Sequence, residues 1–182
     1  MPIRYMKLGK IPLTGVKTMK VTLKSVKFME SLSEETNCFS ATVYINGKRV
    51  GTAENRGCGG PTSYSFTDRK LEGDFEAYAK TLPDVPTDFG APLKMGGEFL
   101  IDTLFEVWLK SHYDKKEAAR FARFDKKYKA QFAASGCKTI RVTLGNSSIT
   151  WLPCKSNDDA PARVEAFKVK NPKETIKSWK VL

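Results

Sequence analysis

The chain has 182 residues, enough for a full hydrophobic core, and its 41% hydrophobic and 11% aromatic content is that of an ordinary globular protein. Its charge is less ordinary: 31 Lys and Arg against 20 Asp and Glu give +11 and a pI near 9.5, a field that favours nucleic acid, a nucleotide or an acidic protein surface as partner. No apolar run approaches the ~18 residues of a membrane span, and one histidine, His112, with cysteines at 38, 58, 137 and 154 but no Cys-x-x-Cys spacing, argues against a structural zinc site.

Met1 to Met19 carries Arg4, Lys7, Lys10 and Lys17 without a continuous apolar core, so it does not read as a secretory signal, and a cytoplasmic protein is expected. Gly9, Pro12 and Gly15 make the segment a poor helix, and residues 1–18 are expected to extend a single domain spanning 19–182.

Residues 20–28 alternate imperfectly between apolar and polar, which predicts a strand with a kink. After the loop 29–37, Phe39, Ala41, Val43 and Ile45 share one face of a second strand. Asn46-Gly47 is a strong two-residue hairpin signal. It predicts pairing of Ile45 with Lys48, Val43 with Val50, Ala41 with Thr52 and Cys38 with Asn55. In that register the loop ending at Asn37 and the glycine-rich loop starting at Asn55 emerge at the same end of the hairpin.

Leu71, Phe75, Tyr78 and Leu82 recur at helical spacing, and the Pro- and Gly-containing loop 82–92 stops that helix. Glu98 to His112 is apolar on most sides and is expected to be a central buried helix. Asp114 and Glu117 have the form of a capping box, which predicts a separate helix with Phe121, Phe124, Tyr128 and Phe132 inward and Gly136 closing it. A hairpin from Lys138 to Pro153 follows, with Ile140, Val142, Ile149 and Trp151 on one face. If Gly145-Asn146 is a two-residue loop, Cys137 falls opposite Cys154, close enough to bridge, although a reducing cytosol favours two free thiols. A short helix near Pro161 to Lys170 and a docked tail with Ile176 and Trp179 complete an α+β chain. Its antiparallel hairpins would form a sheet packed against the central buried helix and the basic amphipathic helix.

Two constellations carry candidate chemistry. The converging loops gather Glu34, Glu35, Thr36 and Asn37 with Asn55, Arg56, Gly57, Gly59, Gly60, Thr62, Ser63 and Tyr64. Bare glycine amides beside a cation suit phosphate, and Tyr64 could stack on or hydrogen-bond to a ligand. Catalysis has no obvious apparatus there. Glu34 and Glu35 are adjacent and would point apart, and Cys58 has only His112 as an imidazole partner. These residues favour a binding protein over an enzyme and imply no cofactor. On the helix after Asp114, Lys116, Arg120, Arg123 and Lys127 recur at helical spacing and draw a basic stripe opposite the aromatic one. Such a stripe can track nucleic-acid phosphates, or be a solvated helix face.

Ser33 to Phe39, Asn46-Gly47 and Asn55 to Gly60 resemble a group of small proteins from phages and other mobile elements. That group combines a Ser-Glu-Glu-Thr-like loop, a hairpin and an Asn-x-Gly-x-Gly-Gly loop, and the resemblance covers residues 20–64. It implies no enzyme activity. It implies instead one of three tasks in the host cytoplasm: handling nucleic acid, blocking a host defence protein, or sequestering a nucleotide signal. The expectation is therefore a non-enzymatic protein that captures a phosphate-bearing nucleotide. A nucleic-acid-binding protein and an inhibitor of an acidic host protein are the alternatives, and a homo-oligomer is compatible with any of them.

Overall fold

A computed structural model describes residues 18–85 and 90–182. Of the expected N-terminal extension only Thr18 falls among them, and residues 86–89 of the loop 82–92 also lie outside them. The fold is α+β, with two antiparallel sheets and three α-helices among the described residues.

The first sheet is a meander in chain order: β1 (Val21–Phe28), β2 (Phe39–Ile45), β3 (Lys48–Asn55) and β4 (Ser63–Phe66). The kink expected in β1 is an irregularity between Lys24 and Lys27, with Ser25 at a φ of 50°. The Asn46-Gly47 turn pairs Ile45 with Lys48 as expected. Beyond it the register differs by one residue: Val43 pairs with Gly51, Ala41 with Ala53, and Phe39, rather than Cys38, with Asn55. Val50 and Ala53 are both buried. Three residues apart on a regular strand they would face opposite sides, and a bulge at Val50 reconciles them. The bulge also turns the side chain of Asn55 inward, where it is buried.

The core side of this sheet is covered by α1 (Arg69–Ala79) and the first part of α2 (Gly97–Ala133). Asp68 caps α1 by accepting from the Lys70 and Leu71 amides at 2.8 and 3.4 Å. Phe75 of α1 meets Tyr64 edge-on at 5.4 Å between centroids, and Phe105 of α2 stacks on Phe39 at 4.0 Å.

The expected break between a buried helix and a basic one is absent: α2 runs unbroken from Gly97 to Ala133. Asp114 and Glu117 signal a helix start only where the backbone has stopped. No Gly or Pro intervenes between Gly97 and Ala133 to stop it. Gly136 ends the helix as expected, at a φ of 68°, and the Cys137 amide bonds back to the Phe132 carbonyl at 2.9 Å.

The second sheet, in the order β6-β5-β7, comprises β5 (Lys138–Leu144), β6 (Ile149–Cys154) and β7 (Ile176–Val181), with α3 (Ala160–Lys170) between β6 and β7 in the chain. The β5–β6 turn is one residue longer than expected, because Ser147 joins Gly145 and Asn146 with a φ of 66° and Leu144 donates to the Ser148 carbonyl. Cys154 therefore pairs with Lys138 instead of Cys137, and the four cysteines are free thiols. The same slip separates the predicted apolar face. Ile140 and Val142 pack towards α3 with Cys154 and Val164, while Trp151, opposite Arg141, joins the other face against α2. The tail docks as β7, yet Trp179 remains 41% exposed.

By its internal contacts the chain divides into two compact units, one ending at Lys110 and one spanning Ser111–Leu182. Among the described residues, no helix is long and apolar enough to cross a membrane.

Gly51 is the residue that lets β4 lie against the bulge: a Cβ there would collide with the Ser65 carbonyl oxygen and the Phe66 Cα. Gly51→Ala is expected to destabilise the protein by about 1–3 kcal/mol through backbone displacement. A chemical-denaturation midpoint unchanged from the parent would show that β4 accommodates the methyl freely.

Candidate functional site

The two loops flanking the first hairpin meet at its open end, as their common origin predicts. Asn55, the last residue of β3, organises the junction. Its carbonyl oxygen accepts from the Thr36 hydroxyl at 2.8 Å and the Gly57 amide at 2.9 Å. Its amide group donates to the Gly60 carbonyl at 3.1 Å and the Thr62 hydroxyl at 3.0 Å. All four hydrogen-bonding positions of the side chain are filled. The Gly57 carbonyl then accepts the amides of Glu34, Glu35 and Thr36 at 3.0, 3.0 and 3.2 Å. Three convergent amides are the geometry of an anion nest, but here the occupant is a carbonyl of the same chain. Gly57 is held at a φ of 86°, and a Cβ would strike the Leu32 carbonyl oxygen, so only glycine fits.

The expected phosphate donors are thus largely committed elsewhere. The Gly57 amide is taken by Asn55, and the Gly59 amide donates to the Thr36 hydroxyl at 3.3 Å. The Glu35 carboxylate lies where a Gly59 side chain would be, placing negative charge at the loop's face. Arg56, Gly60 and Asn37 are exposed, and Ser63 donates to the Glu54 carbonyl at 3.3 Å. Tyr64 is directed elsewhere: its hydroxyl donates at 2.8 Å to Glu76, which also accepts the Gly97 amide at 2.8 Å. Burial, reinforced by Glu76, raises the Tyr64 hydroxyl above its ordinary pKa. Burial also acts to raise Glu76, but the bonds from Tyr64 and Gly97 and the charge of Lys80 outweigh it and hold Glu76 below the usual value.

One participant escapes a reading of the sequence alone. The Thr62 hydroxyl donates to Asp102 on α2, so a relay runs from Gly59 through Thr36, Asn55 and Thr62 to that carboxylate. Burial pushes Asp102 above the usual carboxylate range despite the bond from Thr62. Glu106, one turn on, is raised by burial and by the charge of Asp102. Both lie within the apolar run 98–112, and a carboxylate among Leu100, Ile101, Leu104 and Phe105 was the available signal.

The second constellation has a different character. Of the net +11, residues 111–182 hold +9, from sixteen Lys and Arg against seven Asp and Glu. Lys116, Arg120, Arg123 and Lys127 are all exposed on α2. The stripe is not opposite the aromatic one but borders it. The Arg120 guanidinium lies 5.9 Å from the Phe124 ring centre, and the Lys127 ammonium 5.8 Å from that of Tyr128. Behind them, Trp151 stacks on Tyr128 at 4.8 Å and donates to Asp125 at 2.8 Å. Asp125 also pairs with Arg141 at 2.9 Å, fixing the helix against the sheet. No protein-family model matches the chain, and neither does any curated protein or solved structure.

Removing Asn55 leaves several loop groups without partners, so Asn55→Ala is expected to cost about 2–3 kcal/mol. Calorimetric melting would check this, and a loss below about 0.5 kcal/mol would mean that water replaces the side chain. Asp102 keeps its proton to higher pH in the folded chain than in the unfolded one. Its contribution to stability is therefore present below a pH of about 4 and lost as pH rises through the raised value. Asp102→Asn, which retains an acceptor for Thr62, is expected to gain on the parent as pH rises in urea titrations. A relative stability independent of pH would contradict the assignment.

Proposed function

We propose that this chain is a nucleic-acid-binding protein whose contact surface is the exposed cation row on α2. The observation that carries this reading is the segregation of charge: nearly all of the net positive charge belongs to residues 111–182, where Lys116, Arg120, Arg123 and Lys127 share one solvent-facing row. Four cations at successive helical turns suit a regularly spaced polyanion better than a single small ligand. A nucleotide captured at the glycine loop, the expectation from sequence, would have to displace Asn55 from Gly57 and Thr36 from Gly59. It would also face the Glu35 carboxylate. The loop is better suited to holding the hairpin end together.

Affinity for nucleic acid should fall linearly with the logarithm of salt concentration. Replacing Arg120 and Arg123 together by Glu should weaken binding about tenfold or more and reduce the salt slope by about one to two. Fluorescence anisotropy at several salt concentrations reads both quantities. Equal binding by parent and double variant would place the nucleic acid elsewhere or remove it altogether.

A further inference from the structure

We propose that the strand bound on α2 is single-stranded, with its bases stacked on the rings of Tyr113 and Phe124 while its phosphates follow the cation row. The inference rests on the reading above and adds to it the kind of nucleic acid. Its basis is an open groove of about 840 Å³ whose lining includes Tyr113, Lys116, Arg120, Arg123 and Phe124. Tyr113 and Phe124 are eleven residues apart, close to three full turns, so they stand on the same face of α2, about 16 Å apart along its axis. Between and beside them run the cations: the Lys116 ammonium is 5.8 Å from the Tyr113 ring centre, and the Arg120 guanidinium 5.9 Å from that of Phe124.

Tyr113 is 39% exposed and forms part of the groove wall, while Phe124, half-buried with Trp151 5.5 Å away between ring centres, contributes the part of its ring turned to the groove. A duplex presents phosphates outward and keeps its base faces stacked inside, so it could use the cations but not the rings. An unpaired strand uses both, because every base has a π-face and stacking on an aromatic side chain tolerates any sequence. Asp114 and Glu117 also line the groove. Helical spacing places both towards the aromatic side of the cation row. Phosphates are thereby confined to the side of Lys116, Arg120 and Arg123, and the N–H donors of bases, including the imino N3–H of thymine and uracil, are the natural neighbours of the two carboxylates. The arrangement separates backbone from base across the width of one helix face.

The test measures anisotropy for oligothymidine and oligouridine of about 20 nucleotides, an abasic strand of the same length and a duplex of the same length. The expected result is tighter binding of the oligothymidine or the oligouridine than of the abasic strand and the duplex. Tyr113→Ala should weaken that strand about 5- to 50-fold while changing duplex affinity less than twofold, and Tyr113→Phe, which keeps the ring, should bind like the parent. Duplex binding as tight as the single strand, or Tyr113→Ala indistinguishable from the parent on the single strand, overturns the inference. In that case the Arg120 and Arg123 double variant still decides the broader reading. Absence of binding to all four probes overturns both.

Discussion

The hairpin end depends on one buried side chain making every hydrogen bond available to it. Asn55 sits 7% exposed with two acceptor and two donor positions filled. An unmet polar group at that depth would be costly, so the four partners are held as firmly as the asparagine itself. Aspartate would lose both donors, and a hydroxyl could not span from Thr36 to Gly60. The requirement reaches back along the strand: Asn55 points inward only because the bulge at Val50 changes the phase of β3, and the close approach of β4 there needs Gly51. The extra residue at Val50 thus determines which way a side chain five positions later faces.

This arrangement explains why a glycine-rich loop can look like a ligand cradle and serve as internal scaffolding. The amides of Glu34, Glu35 and Thr36 converge as they would on a phosphate oxygen, and the Gly57 carbonyl supplies that oxygen from within the chain. The cations of residues 111–182 present the reverse case. Lys116, Arg120, Arg123 and Lys127 remain exposed, and the ion pair of Asp125 with Arg141 orients that helix against the sheet. Solvated positive charge with aromatic rings at its border is chemistry left open to a partner.

Much of the architecture was legible in the residues. Alternation in 39–45, the Asn46-Gly47 turn and the spacing of Leu71, Phe75 and Tyr78 gave the strands, the hairpin and α1, because each signal is local. Where the reading failed, the deciding interaction was not local. The bulge at Val50 answers to the burial of both Val50 and Ala53, and the longer turn at Ser147 moves Trp151 to the side of Tyr128. The helix break expected at Asp114 relied on a start signal with no stop before it. In the site, the meeting of the two loops followed from hairpin connectivity. That their amides would be consumed by Asn55 and Thr36, and that Asp102 would complete the relay, depended on tertiary placement invisible to spacing.

The strand order of the second sheet has a consequence for how the chain is made. β5 lies in the middle, between β6, which follows it directly, and β7, which comes only after α3. During synthesis the β5–β6 hairpin therefore exists for some time with one side of β5 unpaired, exposing the backbone beside Ile140 and Val142. Such an edge is a template for pairing with other chains, and the interval ends only when β7 has left the ribosome. Deleting β7 would make that transient edge permanent, so its first symptom should be aggregation during expression rather than a weaker fold.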